Sequence, residues 1–440
     1  MDDFPIVMFC IVMDAFSCLI DTSAPGRSFE GLMLNGKQYS YRLYVDDLLV
    51  FGKANVSNST SLNSIIKTIA SLGMDLSEAS ILIKDNSTSV LPLPDAFLEF
   101  LEENGLDSSI YVGLDTIPRY IRLKPGYEWH LTEIETELDC KLEAVDWLPG
   151  FFFIPSHIQI AGTKAYQSGK IYGMDAASGA AVMTLNVTCG DHVLDLCAAP
   201  GAKLCMLADL LGSSGTITGV DVARHRLAAC RTMLQKYELG DQCRLFVADG
   251  TTFSLVPTRS HTDVKMCPTD GKDVEDTFRE WTSKRTWTDR KNAAKRKMVI
   301  SAHTPLEPSE PDLIFYGRDS GVVGMQRSKV FHIVDAIESS SSGYDKVLVD
   351  AECTHDGSIK HIQKFEYWGW STFQRRVLDA NRMQNLTCLQ LALLTNGFRL
   401  LKVGGSLVYS TCSLTVAQNE AVVEQFLSRN PSADEINHFC

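Results

Sequence analysis

The sequence is short of positive charge: 41 Lys and Arg stand against 54 Asp and Glu, a formal net charge of -13 over 440 residues. That balance excludes a protein that coats nucleic acid by bulk charge and leaves local basic patches as the only way to grip phosphates. No two of the 13 cysteines fall at C-x-x-C spacing, which excludes the common zinc and dithiol motifs. An odd number of thiols without paired spacing reads as reduced cysteines of an intracellular protein, with nucleus and cytoplasm both open. Long apolar runs are missing too. The run "FPIVMFCIVMDAF" follows Asp2 and Asp3 rather than basic residues and is broken by Asp14, so neither a secretion signal nor a membrane span is expected.

What is present divides into three parts. Residues 1–90 contain "YSYRLYVDDLLVFGKA", alternating residues that lead to Asp46 and Asp47 and then an apolar run. That pattern predicts a hairpin with two carboxylates at its tip, either a metal-binding pair or an exposed acidic turn. The stretch resembles the palm of reverse transcriptases from plant-type non-LTR retroelements. The resemblance implies part of a two-metal site. The region that would supply the earlier aspartate and the fingers is absent, so the expectation is an orphan fragment rather than a polymerase.

Residues 91–165 change character. "LPLPDAFLEFLEENGLD" predicts an amphipathic helix, and "PRYIRLKPG" a short strand whose Arg119, Arg122 and Lys124 either touch phosphates or line a solvated face. From residue 166 to 440 the pattern is α/β. "HVLDLC", "TITGVD", "CRLFVADG", "KVLVDAEC" and "SLVYSTC" are buried-strand runs ending in an acid or a thiol, separated by helical spacing, which predicts a doubly wound parallel sheet.

In open parallel sheets ligands sit beyond the carboxyl ends of the strands, where this sequence places Asp195, Asp221, Asp249, Asp350 and Cys412. The turn Cys197, Ala198, Ala199, Pro200, Gly201, Ala202 and Lys203 lacks bulk, so a ligand can approach its backbone N–H groups. It is neither a Walker loop nor G-x-G-x-x-G. Asp221 stands where a carboxylate accepts from ribose hydroxyls, a feature NAD would also satisfy. A buried cysteine is usually packing, the reading given to Cys197, Cys205, Cys230 and Cys388. Cys353 and Cys412 end neighbouring predicted strands, where a thiol can be a nucleophile.

"VLDLCAAPGAK", Asp221, "ADG" at Asp249, "VDAEC" at Asp350 to Cys353 and "YSTCSLTVAQNEAVVEQFL" occur in order. Together they resemble the Nop/Sun (RsmB-type) family of S-adenosylmethionine-dependent RNA cytosine-C5 methyltransferases. The resemblance implies a Rossmann-like class I methyltransferase sheet at 166–440, preceded by a small α+β RNA-binding region at 91–165. It implies S-adenosylmethionine as cofactor, an RNA substrate such as tRNA or rRNA, no metal, no membrane and no obligate protein partner. Cys412 would attack cytosine C6, Cys353 would assist release, and Asp350 would lie beside the base and the methionine moiety. The turn 197–203 would cradle methionine, Asp221 the ribose, and Asp249 the adenine side. The alternative is a catalytically inactive RNA-binding protein that keeps the fold.

Four departures from the family pattern carry expectations of their own. Ala202 replaces a glycine and would be strained if its φ were positive. Glu352 replaces a proline, and "THDG" a Ser-Gly turn, so a carboxylate is expected to raise the Cys353 pKa. An insertion at about 255–343 carries a basic, Trp-containing stretch around Trp281 and Trp287, either an RNA patch or a solvated loop. The sheet is C-terminally shortened, which would leave an exposed apolar edge on the strand leading to Cys412.

Overall fold

A computed structural model of the chain describes residues 6–13, 32–34, 37–39, 41–43, 48–50, 93–111, 119–257, 278, 311–325, 343–359, 361–362, 365 and 370–435. Asp46, Asp47 and the basic stretch around Trp281 and Trp287 lie outside the described residues. Two compact units emerge, Met1–Val187 with Asp345–Cys440, and Thr188–Tyr344.

In chain order the first unit contributes β1 (Ile6–Met13), β2 (Leu32–Leu34), β3 (Lys37–Tyr39), β4 (Tyr41–Leu43) and β5 (Leu48–Val50). It continues with β6 (Arg119–Leu123), β7 (Glu143–Ala144), β8 (Phe151–Ile154) and β9 (Ile171–Gly173). The second unit holds β10 (His192–Asp195), β11 (Thr216–Asp221), β12 (Cys243–Val247) and β13 (Asp312–Tyr316). The chain then returns to the first unit with β14 (Tyr344–Asp350), β15 (Leu401–Thr411) and β16 (Asp434–Glu435).

In the second unit the strands run in the order β13, β12, β11, β10, parallel except for the outer pair β12 and β13. β11 is buried at every position, as expected of a parallel strand covered on both faces. Helices Ala202–Leu211 and Arg224–Lys236 pack on β11. The insertion therefore returns to the sheet through β13. Arg244, buried on β12, donates Nε to Thr218 Oγ1 at 2.7 Å and Nη2 to the Val256 carbonyl at 3.1 Å, so its charge is hydrogen-bonded rather than stranded.

In the first unit β14, β15, β1, β5 and β4 lie side by side. β4 and β5 pair antiparallel, Leu43 opposite Leu48. The expected bare edge is corrected: β1 runs parallel along β15, Ile6 opposite Ser406 through Ile11 opposite Thr411, and β16 pairs with β1 in turn. The apolar, β-branched run "IVMFCIVM" thus takes up the edge hydrogen bonds that the shortened C-terminus was expected to leave open.

Residues 119–173 of the same unit form an antiparallel sheet in the order β7, β8, β6, β9, closed over a core of Ile121, Ile134, Ile154 and Ile171. Of the three basic residues considered from sequence, Arg122 is turned into the core, while Arg119 and Lys124 are half-buried. Arg122 is buried with its guanidinium 5.0 Å from the Tyr172 ring centroid, and Arg119 Nη1 donates to the Ile158 carbonyl at 2.7 Å. Packing on an aromatic face explains the buried cation. Among the described residues no helix is long and apolar enough to cross a membrane.

Candidate active site

The turn after β10 is shaped by backbone needs. Gly201 has φ +111, and a Cβ there would lie 3.0 Å from the Cys230 backbone, so both conformation and space demand glycine. Ala202 begins the helix and is not among the positive-φ residues, so the strain considered for it does not arise. Asp221, at the end of β11, accepts from the Ala199 N–H at 3.3 Å and the Ala223 N–H at 2.8 Å. Arg226 Nη2 donates to the Ala199 carbonyl at 2.9 Å and completes the clamp. Asp249 is exposed at the end of β12 and accepts from the Thr251 N–H and hydroxyl.

These residues fit a nucleoside-bearing cofactor. The helix Ala202–Leu211 starts directly after the turn, so its N-terminal end faces a ligand held there. The Asp221 carboxylate has acceptor capacity beyond its two backbone bonds. Val222, directly after it, is 73% exposed and offers a flat ring an apolar surface. Neither Val222 nor Arg226 was singled out from sequence; a valine after a strand-end acid and an arginine in the following helix were the available signals.

The thiols belong to the first unit. Cys353 follows β14, Cys412 follows β15, and their sulfurs lie 3.0 Å apart. Cys353 is buried, whereas Cys412 keeps partial access to solvent. Asp350, at the end of β14, accepts from Ser410 Oγ at 2.8 Å. Gly357 donates its N–H to the Cys412 carbonyl at 3.0 Å, and a Cβ there would sit 2.7 Å from that oxygen, so the "THDG" turn lies directly on the Cys412 backbone.

A buried polar network holds both loops. Gln418 accepts from the Thr354 N–H at 3.2 Å and from Gln390 Nε2 at 3.2 Å, and its own Nε2 lies 2.8 Å from Thr354 Oγ1 and Ser413 Oγ. Asp356 accepts from the Leu414 N–H at 2.7 Å and from the Thr354 hydroxyl. Tyr111 OH donates to the Asp356 carbonyl at 2.6 Å, and Asn419 ties Ser413 and Thr415 through their carbonyls. Sequence reading missed His355, Asp356 and Gln418 as site residues; the "THDG" departure was the one signal for the first two.

His355 lies among the thiols. Its Nδ1 is 2.8 Å from Cys412 Sγ and 3.7 Å from Cys353 Sγ, and its backbone is in the left-handed region at φ 59. Burial pushes the Cys353 thiol up, but hydrogen bonds from Cys412 and His355 outweigh it and bring the thiol down to about 6. Cys412, hydrogen-bonded to that sulfur, partly desolvated, and near Asp350 and Asp356, is held well above the ordinary thiol value. The two sulfurs therefore titrate as a pair, giving up a first proton early and a second late.

Two expectations are corrected here. Glu352 does not raise the Cys353 thiol: its carboxylate turns to Arg382, with Nη2 2.9 Å from Oε1, while its backbone carbonyl accepts from Gln390. Cys388 is exposed rather than packed, whereas Cys205 and Cys230 are buried as expected. The sulfur and nitrogen donors of Cys353, His355 and Cys412 lie within 4.8 Å of one another, a set that suits a soft metal ion. Two thiolates on a tetrahedral zinc stand about 3.7 Å apart. The 3.0 Å separation of the sulfurs is shorter than that.

Parallel strands with acidic ends, a small-residue turn opening a helix and strand-end thiols define a Rossmann-like S-adenosylmethionine-dependent methyltransferase domain. The family described as 16S rRNA methyltransferase RsmB/F matches residues 182–304 and 322–438, more than half of the chain, and the chain belongs to that family. It is 22% identical over 272 residues to the probable ribosomal RNA small subunit methyltransferase B of Bacillus subtilis, covering 62% of this chain and 40% of that protein. It is 28% identical over 272 residues to the 5-cytosine rRNA methyltransferase NSUN4 of Bos taurus, covering 62% and 47%. The crystal structure of NSun6 from Pyrococcus horikoshii with SFG aligns at TM-score 0.46 and 14% identity, over 77% of this chain and 88% of that one. The chain thus spans less than half the length of these curated relatives.

Proposed function

We propose that the protein methylates C5 of cytosine in RNA, with S-adenosylmethionine as methyl donor. The observation that carries this reading is the sulfur pair: two strand-end thiols 3.0 Å apart, one buried and one accessible. Cytosine C5 is a poor nucleophile, and addition of a thiolate at C6 makes it a good one. The accessible Cys412 is the group that adds. With the first proton gone from the sulfur pair, the Sγ–C6 bond forms as the C5=C6 pair moves to C5, and C5 then takes the methyl group as the bond from that group to the donor sulfur breaks.

Release needs the C5 proton removed. Cys353 has the low thiol pKa for it: once Cys412 is bonded to C6, the Cys353 thiol gives up its proton and its thiolate takes the one on C5. The C–H pair re-forms C5=C6, the Sγ–C6 bond breaks, and Cys412 leaves as thiolate. Asp350, held by Ser410, supports the charge on the ring. The turn 197–203, Asp221, Val222 and Asp249 hold the cofactor, which when bound supplies an electrophilic methyl group.

The RNA class we propose is structured tRNA or rRNA, the substrates named for the relatives. Residues 91–165 are assigned to RNA contact, supported by Trp129, 83% exposed on that segment and available for stacking. Residues 1–90 keep their reverse-transcriptase-like reading from sequence alone. Working thiols suit a reducing compartment, which supports an intracellular enzyme, in nucleus or cytoplasm.

The test is incubation of the purified chain with labelled donor and total cellular RNA, followed by denaturing electrophoresis. Wild type is expected to label RNA, Cys412→Ala to lose all labelling, and Cys353→Ala to trap a covalent protein–RNA band. A folded chain that binds donor but labels no RNA and traps no adduct overturns the enzyme and leaves an RNA-binding relic of the fold.

A further inference from the structure

The turn that replaces the Ser-Gly sequence of the resembled family brings an imidazole to the sulfurs. His355 Nδ1 lies 2.8 Å from Cys412 Sγ, within hydrogen-bond reach, and 3.7 Å from Cys353 Sγ. The contact is built. A non-glycine residue held at φ 59 is strained, so the surroundings must over-determine it. Those surroundings are visible: the Asp356 side chain is tied to Leu414 and Thr354, the Gly357 N–H is tied to Cys412, and the His361 ring packs on His355 at 4.6 Å between centroids.

We infer that His355 is a further catalytic residue, the base that takes the first proton from the Cys353–Cys412 thiol pair and holds the resulting thiolate beside its imidazolium. This rests on the function proposed above. An S–H bond breaks and an N–H bond forms at Nδ1; no oxidant or other co-reactant is needed. One proton remains between the two sulfurs. When it sits on Cys353, Cys412 is the thiolate, hydrogen-bonded by the Nδ1–H and accessible to a base.

The negative groups around the ring favour this state. Cys353 and Cys412 face it on one side, Glu352 and Asp356 flank it in sequence, and His361 stacks on it. Burial lowers the imidazole pKa, but the hydrogen bond to Cys353 and the negative charges of Cys353, Glu352 and Asp356 more than reverse it. A thiolate–imidazolium pair is the activated form that other thiol nucleophiles reach by the same contact.

The decisive experiment is the pH dependence of Cys412 alkylation by iodoacetamide, read by mass spectrometry of the Cys412 peptide. It is run on the full chain and on His355→Gln and His355→Gly, with circular dichroism confirming the fold. The wild-type profile is expected to rise well below the ordinary thiol range. His355→Gln should shift it up by at least one pH unit and slow RNA methylation at pH 7 by about 100-fold, the lower end for loss of a general base.

His355→Gly suits the left-handed backbone, and added imidazole is expected to restore both alkylation at low pH and part of the activity. An unshifted alkylation profile in a folded His355→Gln protein overturns the proposal, as does failure of imidazole to restore reactivity in a folded His355→Gly protein. If the profile depends on His355 but wild type labels no RNA, the thiol–imidazole pair stands and the methyltransferase reading falls.

Discussion

The turn from Cys197 to Lys203 and the loop from Ala351 to Gly357 both follow a strand that ends in an aspartate, yet opposite means hold them. The first is held through its own backbone groups, which the side chains of Asp195, Asp221 and Arg226 bind. Asp195 and Asp221 accept from N–H groups of the turn itself, 2 and 22 residues away, and Gly201 supplies the one conformation a side chain would forbid. The second is held by side chains that meet across the fold. Cys353, Thr354, His355 and Asp356 find their partners at Cys412, Leu414 and Gln418, 57 to 64 residues away. A binding turn needs only space and donors, whereas a reactive thiol needs named groups at set distances.

The contrast breaks most easily at Gln418. Its amide meets the loops after β14 and β15 and three buried hydroxyls, so Gln418→Ala leaves several buried polar groups unpaired. A loss of about 3 kcal/mol in chemical denaturation is expected, with methyl transfer falling further than donor binding. Equal loss of the two would show that the loops are not separately held.

Gly201→Ala tests the backbone side. The left-handed φ and the approach to Cys230 predict a cost of about 2 kcal/mol. Calorimetric titration with S-adenosylmethionine should show weaker binding, while Cys412 alkylation stays at the wild-type rate. A change in thiol reactivity would mean that the turn also sets the thiol loop.

The smallest effect is a slope. Burial raises the Asp356 carboxyl above its ordinary value even though Thr354 and Leu414 hydrogen-bond it. Its folded pKa exceeds the unfolded one, so its contribution is complete below the ordinary carboxyl range and is lost as pH rises through the folded pKa. Asp356→Asn, which keeps one acceptor and adds a donor, should flatten that fall in thermal unfolding measured from pH 4 to 8. An unchanged slope would assign the pH dependence to another group, Glu420 first, whose burial pushes it up to about 7.

Legibility in the sequence followed the same division. The strands "HVLD", "TITGVD" and "CRLFV" were readable because buried parallel strands are apolar runs, and the turn between the first two was readable because its residues are small. Cys353 and Cys412 were readable as strand ends. Their shared neighbours were not, since "THDG" looked like loss of a family turn and Glu352 like a harmful charge. Arg382, which takes Glu352 away from the thiol, is 30 residues further on. Nor did any local pattern show that the apolar run Ile6–Met13 would lie along β15.

By itself the sequence determined the α/β class, the cofactor turn, the two strand-end thiols and the likeness to a family, because each is written in short-range residue type and spacing. Only the tertiary structure decided which sulfur meets solvent, that His355 rather than Glu352 faces the thiols, and that the edge of β15 is covered. The physical reason is range. Backbone conformation and burial pattern are set within a few residues, whereas the protonation of a buried thiol is set by whichever donors and charges the fold brings within about 4 Å of it.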